Sequence, residues 1–167
     1  MKNKPRHLAA IISCILVASF CLFLLYRYKT RARVENEAYY IRTIDGDTAV
    51  FEIDNEEVTC RFLAIDAPEY GEEYYGEARE YVKDTLEKGK TIVLESEPKS
   101  DEYDKYDRKL VWVFVDDELL QGKLLEEGLV KIAYTYGNYD YLSSLRESEN
   151  RAKDNSRGIW GIEKDQQ

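Results

Sequence analysis

The sequence predicts a small antiparallel β-barrel with α-helices packed outside it, such as an OB-fold. The order of its segments supports this, because three β-rich runs are followed by a helical run, two more β-rich runs and further helical runs. The 133 residues after Val34 are enough to bury one hydrophobic core. Three cysteines, two of them near the N-terminus, exclude a disulfide scaffold. We therefore expect a single folded domain.

The predicted strands are short runs rich in β-branched and aromatic residues. The polar sequence Asp54–Glu57 lies between the second and third runs and predicts a β-hairpin. A charged loop over residues 97–108 separates the fourth run from the fifth. In chain order the strand-like runs are Tyr39–Ile44, Thr48–Ile53, Val58–Ile65, Thr91–Glu95, Lys109–Val115 and Leu129–Ala133.

Three segments have apolar residues at helical spacing. The clearest places Ala78, Val82 and Leu86 on one face, and Gly89 is suited to end that helix. The predicted helices are Tyr75–Lys88, Leu119–Glu127 and Tyr141–Lys153.

The N-terminal segment, residues 1–34, has a different character from the rest. Residues 8–26 are 19 consecutive uncharged residues with lysine and arginine on both sides. At about 1.5 Å per residue, a helix of this length spans the hydrocarbon core of a bilayer. We expect a membrane anchor through residues 8–26 with the C-terminal domain extracellular, or a secreted domain if the segment is a cleaved signal. The basic flanks do not determine the orientation, because both are positive.

The charge of the chain is divided between these two parts. The net charge is −9, but residues 1–34 hold seven of the 24 basic residues and none of the 33 acidic ones. Residues 35–167 therefore carry 17 basic and 33 acidic residues, a net charge of −16. Such a domain argues against a simple nucleic-acid binder, since polyanion binding depends on lysine and arginine contacts. We expect a linker over 35–38, the folded domain over 39–161 and a polar tail over 162–167.

The densest polar motif pairs Asp45–Thr48 with the later run Arg61–Glu69. A hairpin centred between Asn55 and Glu56 makes Asp47 and Asp66 diagonal neighbours, roughly 7 to 8 Å apart at the backbone. Ca²⁺ prefers carboxylate and carbonyl oxygens, so two carboxylates on adjacent strands indicate an open Ca²⁺ site. Taken alone, the aspartate-glycine-aspartate sequence is more typical of an ordinary polar turn.

Two residues in the second run add chemistry to this motif. Glu69 follows Pro68, which ends the strand, so its carboxylate can act as a general base or remain a solvated loop acid. Arg61 lies in an otherwise apolar run and needs an anionic partner, either a phosphate or a carboxylate. Strict alternation places Arg61 and Asp66 on opposite faces unless the strand bulges or ends between them.

A second basic motif, Asp104–Arg108, precedes the strand that begins at Lys109. By itself it indicates an acidic turn with two cations. Tyr134 and Tyr136, two residues apart in a strand-like run, would point to one side and could stack on a base.

Together these motifs resemble the staphylococcal nuclease-like (thermonuclease) family in order and spacing. The resemblance covers about Tyr39 to Trp160 and implies a five-stranded OB-fold barrel with three α-helices. It also implies a Ca²⁺-dependent nuclease that cleaves DNA and RNA, with single strands preferred, and leaves 3′-phosphates. We expect the domain to be a monomer. The matching segments are Asp45–Thr48, Arg61–Glu69, Asp104–Tyr106 with Arg108, Gly128–Tyr134 and Gly158–Trp160.

The resemblance assigns a role to each candidate residue. The metal ligands would be Asp47, Asp66 and the backbone carbonyl of Ala67, with Asp45 supporting them. The catalytic residues would be the general base Glu69 and the phosphate-binding pair Arg61 and Arg108. The nucleotide contacts would be Lys105, Tyr106, Tyr134 and Tyr136.

Two departures from the family pattern bear on activity. The loop after Glu69, residues 70–76, is short and acidic where the family prototype has a longer, lysine-rich loop. Asp107 places a negative charge beside Arg108. The sequence thus predicts an inefficient or salt-sensitive nuclease. The alternatives are a weakly active or inactive nuclease-like domain that serves as a membrane-tethered binding module, and an acidic cell-surface Ca²⁺-binding protein.

Overall fold

The computed structural model describes residues 35–161, together with the helical and exposed residues Val17, Ser19, Phe20 and Leu22. It divides the chain into two compact units, residues 1–34 and 35–167. Most of the predicted membrane segment, residues 8–26, and the predicted tail, residues 162–167, lie outside the described residues. Of the helices in the described part of the chain, none combines the length and apolarity that a membrane span requires.

Residues 35–161 form nine strands and three helices. Five strands of four to seven residues (β2, β3, β4, β6 and β7) make up most of the sheet structure. The strands are β1 (Glu35–Glu37), β2 (Tyr39–Thr43), β3 (Thr48–Ile53), β4 (Glu56–Phe62), β5 (Ile65–Asp66), β6 (Ile92–Glu95), β7 (Lys109–Val115), β8 (Glu118–Leu119) and β9 (Lys131–Ile132). The helices are α1 (Tyr75–Lys88), α2 (Leu120–Glu126) and α3 (Leu142–Asp154).

The main sheet curls because two strands that are adjacent in the chain, β1 and β2, lie at its two opposite ends. Its strand order is β1-β6-β7-β4-β3-β2, with β8 added to β7, and β5 and β9 form a separate pair. Strands β1 and β2 lie at opposite ends of that order, yet only Ala38 separates them in the chain. The Ala38 N–H donates to the Ile92 carbonyl at 3.0 Å and continues the pairing beyond β1. The predicted OB-like barrel with outer helices is confirmed, but it is not wholly antiparallel, because β4 pairs with β7 in parallel.

The first strand changes the predicted domain boundary. Residues 35–38, expected to form a linker, belong to the sheet: Glu37 pairs with Val93, and Ala38 is buried. Edge pairing with β6 satisfies the backbone groups of a segment whose side-chain pattern gives no strand signal.

The core lies between the curled sheet and the three helices. Its largest fully buried side chains include Trp112, Phe51 and Phe62. Helix α1 buries Ala78, Val82 and Leu86, the face that its sequence predicts. The buried cluster runs from Ala38 to Leu145, so we expect a fragment of residues 35–167 to fold without the N-terminal segment.

The β3–β4 hairpin has a different register from the expected one. The turn consists of Asp54 and Asn55, both with positive φ (53° and 67°), and Ile53 pairs with Glu56. Aspartate and asparagine tolerate the left-handed region that a two-residue hairpin turn requires. The expected register, centred between Asn55 and Glu56 with Asp47 diagonal to Asp66, is therefore wrong. Instead the Asp47 carbonyl accepts the Phe62 N–H at 2.8 Å.

Two glycines attach the C-terminal segment to the end of α2. Gly128 (φ 67°) and Gly158 (φ 53°) lie back to back, and a Cβ on either one would overlap backbone atoms of the other segment. The Ile159 N–H donates to the Gly128 carbonyl at 3.0 Å. Only glycine combines this left-handed backbone with so close an approach.

Cys60 is a buried apolar side chain, as expected from the sequence. It is fully buried and unpaired with another cysteine in the described part of the chain. Burial raises the pKa of its thiol to about 12, so the reactive thiolate is disfavoured.

Candidate active site

The candidate residues all line one cleft. It has a volume of about 960 Å³ and is lined by the end of β4, the segment through β5 to Glu69, the loop before β7 and the segment after β9. All eleven residues singled out from the sequence line it: Asp45, Asp47, Arg61, Asp66, Ala67, Glu69, Lys105, Tyr106, Arg108, Tyr134 and Tyr136.

The turn before β3 brings Asp47 against the base of the cleft. The Thr48 carbonyl accepts N–H bonds from Ile44 at 2.9 Å and from Asp45 at 3.2 Å, which closes the turn. A Cβ on Gly46 would lie 2.7 Å from the Ala78 Cβ and 2.8 Å from the Ala67 Cβ. Glycine is thus required by the close approach of α1 and of the segment after β5.

Asp47 is almost completely buried, with 6% of its surface exposed. Its Oδ1 accepts the Thr48 hydroxyl at 2.9 Å, and its Oδ2 accepts the Ala67 N–H at 2.8 Å. Burial, with the nearby Asp45 carboxylate, raises the pKa of Asp47 to about 7, against the opposing effects of Arg61 and these hydrogen bonds. The negative charge on Asp47 is therefore stabilised incompletely, and an additional cation would favour it.

Arg61 joins the two candidate metal-binding aspartates. Its Nη2 lies 3.0 Å from Asp47 Oδ2 and 3.2 Å from Asp66 Oδ1, and its Nη1 donates to the Phe62 carbonyl at 3.1 Å. This contact is possible because β4 ends at Phe62 and Ala64 takes a positive φ of 62°. The strand ends between Arg61 and Asp66, so the face conflict expected from strict alternation does not arise.

The donor set fits a hard divalent cation. Asp47 Oδ2 and Asp66 Oδ1 contact the same arginine nitrogen, so a positive charge is accommodated between them. Ca²⁺ takes carboxylate and carbonyl oxygens, and the family resemblance adds the carbonyl of Ala67, the residue after Asp66. In residues 35–161 no group of three or more histidine, cysteine, aspartate or glutamate side chains is arranged to hold a metal. A cation here would thus rely on two carboxylates, backbone oxygen and water.

Glu69 lies at the rim of the cleft on a compact turn. Its N–H donates to Glu72 Oε2 at 2.8 Å, and the Glu72 N–H donates back to the Glu69 carbonyl at 2.9 Å. The Glu69 side chain is exposed, and its carboxylate has no hydrogen bond or ion pair within residues 35–161. The short acidic loop thus fixes the backbone of Glu69 and leaves its carboxylate available to accept a proton.

Arg108 is held by Asp104, the first residue of the Asp104–Arg108 motif. Its Nε and Nη2 both lie 2.7 Å from Asp104 Oδ2, and its N–H donates to Asp104 Oδ1 at 3.0 Å. Burial acts to raise the pKa of Asp104, but the hydrogen bonds from Arg108 and from the Tyr106 N–H outweigh it, so the pKa lies below its usual value. The Arg108 guanidinium is therefore positioned at the cleft but paired with a carboxylate.

The candidate tyrosines reach the cleft from irregular backbone. Strand β9 has only two residues, and Tyr134 takes a positive φ of 54°, so the prediction that Tyr134 and Tyr136 follow strand alternation is wrong. The Tyr134 ring lies 5.7 Å from the Arg61 guanidinium carbon. Tyr106, Tyr134 and Tyr136 remain 66%, 57% and 83% exposed, so their rings are accessible to a ligand.

A buried carboxylate that the sequence analysis missed joins two walls of the cleft. Glu97, 4% exposed, accepts the Trp112 indole N–H at 3.2 Å, the Asp140 N–H at 2.9 Å and the Lys99 N–H at 3.2 Å. Lys99 also reaches across to the Asn138 carbonyl at 2.7 Å. Nothing in the local sequence marks Glu97, because its partners lie up to 43 residues away.

Replacing Glu97 with alanine should lower the free energy of unfolding by about 3 kcal/mol, because buried N–H donors lose their acceptor. Glutamine retains one carbonyl oxygen and should cost about 1 kcal/mol. Urea unfolding of the 35–167 fragment measures both. Glu80→Ala, which removes only an exposed ion pair with Lys83, is the control and should change stability by less than about 1 kcal/mol. Equal effects of Glu97→Ala and Glu80→Ala would contradict this role.

The chain is similar to a known nuclease family and to proteins named as nucleases. Residues 59–162 match the family model described as staphylococcal nuclease homologue. The chain is 38% identical over 126 residues to Endonuclease YncB of Bacillus subtilis (strain 168), covering 71% of this chain and 59% of YncB. It is 37% identical over 126 residues to the SPbeta prophage-derived endonuclease YokF of the same organism, covering 71% of this chain and 42% of YokF.

A shorter relative is covered more completely. The chain is 31% identical over 133 residues to Thermonuclease of Staphylococcus hyicus, covering 75% of this chain and 77% of that protein. The chain matches less than two thirds of the length of YncB and of YokF.

Proposed function

The chain belongs to the staphylococcal nuclease homologue family, and on that premise we propose that its folded domain is a Ca²⁺-dependent nuclease. The proposed reaction is hydrolysis of phosphodiester bonds in DNA and RNA, which leaves 3′-phosphates. The contact of Arg61 with both Asp47 and Asp66 carries this proposal. It lies in a cleft that also holds Glu69 and Arg108, so the groups needed for phosphodiester hydrolysis converge.

Glu69 is the proposed general base. Its exposed carboxylate takes a proton from water as the water oxygen bonds to phosphorus. The bond from phosphorus to the 5′ oxygen breaks, and this oxygen takes a proton from solvent water. One product then carries a 3′-phosphate and the other a 5′-hydroxyl. The hydrogen bonds between Glu69 and Glu72 hold the Glu69 backbone at the rim of the cleft.

Arg61 and Arg108 are the proposed phosphate ligands. Both guanidinium groups now contact carboxylates, Arg61 with Asp47 and Asp66, and Arg108 with Asp104. A phosphate would take over some of these hydrogen bonds, and the arginines would stabilise the charge that builds on its oxygens in the pentacovalent transition state.

Asp47, Asp66 and the Ala67 carbonyl are the residues that would hold Ca²⁺, with Asp45 fixing the Asp47 backbone through a 3.0 Å hydrogen bond. When bound, Ca²⁺ supplies positive charge to the phosphate oxygens and to water in the site. It would also stabilise the buried Asp47 carboxylate when Arg61 moves toward a phosphate.

The substrate contacts favour single strands. Lys105, Tyr106, Tyr134 and Tyr136 line the cleft, and the three tyrosines are exposed. Unpaired bases can stack on such rings, whereas bases inside a duplex cannot.

Cleavage of a single-stranded oligonucleotide by the 35–167 fragment tests this function. We expect cleavage with Ca²⁺, none with a chelator, and 3′-phosphate ends on the products. Asp66→Asn should need more Ca²⁺ or lose activity, because one of the two carboxylates is gone. Cleavage that a chelator leaves unchanged would reject the metal role. Negligible cleavage in every tube would reject the enzyme, and binding without cleavage would then support a binding module.

We also propose that residues 8–26 anchor the chain in a membrane with the nuclease domain extracellular, and that the domain acts as a monomer. The support is the uncharged 19-residue run between basic flanks. Full-length chain should fractionate with membranes and be degraded by protease added to intact cells. A shortened chain in the medium would indicate a cleaved signal instead, and protection from protease would contradict the orientation.

The oligomeric state of the domain is tested separately by sedimentation. Sedimentation of the 35–167 fragment as a dimer would contradict the proposed monomer.

A further inference from the structure

We infer that Tyr103 is a further base-stacking residue in the cleft, and that the site holds single-stranded nucleic acid mainly through bases rather than phosphates. This inference rests on the proposed function, and it specifies how the substrate is recognised. It adds a side chain that the motifs in the sequence do not mark.

The position of Tyr103 fits a stacking role. Its side chain lines the cleft and is 43% exposed. The Lys109 ammonium lies 5.1 Å from the centre of its ring, and Glu102 holds that ammonium at 2.8 Å. A backbone bridge between Tyr103 and Lys109 fixes the main chain at this point. The ring is thus braced by a cation, while its exposed surface remains available to a base.

The cations in the cleft are mostly neutralised. Arg61, Arg108 and Lys99 each form an ion pair with an aspartate. Lys105 has no ion pair with the residues described, and its ammonium lies 4.8 Å from the centre of the Tyr106 ring. Around the whole cleft, six acidic residues face these four basic ones: Asp45, Asp47, Asp66, Glu69, Asp101 and Asp104.

This charge balance limits what phosphate contacts can contribute. A protein gains affinity for a polyanion when its lysines and arginines release counterions, and most cations here must first leave a carboxylate. Base stacking carries no such requirement, because bases are uncharged and every base has a flat face. Tyr103 and Tyr106 come from one loop, and Tyr134 and Tyr136 from another, so rings from two segments are available to successive bases.

Equilibrium binding of a single-stranded oligothymidylate tests the role of Tyr103. The measurement uses fluorescence anisotropy, Ca²⁺ and the 35–167 fragment carrying Glu69→Gln, so that the oligonucleotide is not consumed. Adding Tyr103→Ala should raise Kd by about 5- to 100-fold, the loss typical of one base stack. Tyr103→Leu, which keeps an apolar side chain, should lose as much. Tyr103→Phe, which keeps the ring, should bind within about twofold of the parent.

The control is Tyr39→Ala, which removes a tyrosine that is 65% exposed on β2 and does not line the cleft. It should leave Kd within about twofold of the parent value. Thermal melts confirm that each variant is folded. Unchanged binding by folded Tyr103→Ala or Tyr103→Leu, or a loss with Tyr103→Phe as large as with leucine, would overturn the inference.

The salt dependence of Kd is measured for the parent fragment, which carries Glu69→Gln and keeps Tyr103. It tests the inference without relying on any Tyr103 variant. With few free cations, log Kd should change with log salt with a slope below about 2, as expected when only one to three phosphates are neutralised. A slope of about 4 or more, or no binding of the oligothymidylate, would overturn the inference. Cleavage by the chain with Glu69 intact is scored separately, so a failed nuclease that still binds through Tyr103 refutes only the proposed function.

Discussion

Replacing Glu69 with glutamine should lower kcat for single-stranded DNA by about 10²- to 10⁴-fold, the usual contribution of a general base. Glutamine has nearly the same size but cannot accept the proton that water loses. The hydrogen bonds between residues 69 and 72 use the N–H and the carbonyl of Glu69 and not its carboxylate, so the turn should persist. Binding of the oligonucleotide should change little, because the loss concerns only the transition state.

Two neighbours of Glu69 provide matched controls. Glu73→Gln removes the same charge from an exposed side chain of the same loop and should change kcat by less than about threefold. Glu72→Gln keeps an amide oxygen that can accept the Glu69 N–H, so it should have an intermediate effect. If Glu69→Gln and Glu73→Gln lowered kcat equally, the charge of the loop, rather than proton transfer, would control the rate.

Replacing Arg61 with alanine should affect both stability and catalysis. Without Ca²⁺, we expect the free energy of unfolding to fall by about 3 kcal/mol, because removing one partner leaves a buried carboxylate uncompensated. The carboxylate concerned is Asp47, which is 6% exposed. Cleavage should fall by about 10²- to 10³-fold even with Ca²⁺, since a transition-state ligand is missing.

Ca²⁺ should restore part of the lost stability of Arg61→Ala, because it binds the folded state at the same two aspartates. Urea unfolding with and without Ca²⁺ measures this recovery. Arg151→Ala is the control: it removes an arginine from an exposed ion pair with Glu126 and should cost less than about 1 kcal/mol, whether or not Ca²⁺ is present. Equal Ca²⁺ stabilisation of Arg151→Ala and Arg61→Ala would argue that Arg61 does not occupy the cation position between Asp47 and Asp66.

Sequence patterns predict the regular elements closely where hydrophobic periodicity is strong. The boundaries of α1 and β7 agree with the prediction to the residue, because both have a regular apolar face or run that ends at a clear polar or glycine signal. Strand β1 is different. It is three residues long, and its pairing with β6 depends on backbone hydrogen bonds that leave no side-chain pattern.

The geometry of the cleft is less accessible to sequence reasoning. All candidate residues line it, but how Arg61 meets Asp66 depends on the positive φ of Ala64, a residue that ordinarily avoids that conformation. The hairpin register depends on which two residues of Asp54–Glu57 form the turn. The ion pairs of Arg108 and Lys99 reduce the free positive charge of the site, and neither can be inferred from composition.

The contact between Gly128 and Gly158 has a consequence for the order of events during synthesis. The residues that line the cleft end at Tyr139, yet the last segment packed against α2 includes Ile159, which is buried and bonded to Gly128. Residues near position 158 leave the ribosome after the cleft residues, so a growing chain can contain every cleft residue before this contact can form. A complete set of cleft residues therefore precedes a complete fold, and the domain reaches its final stability only after the segment around Gly158 has also left the ribosome.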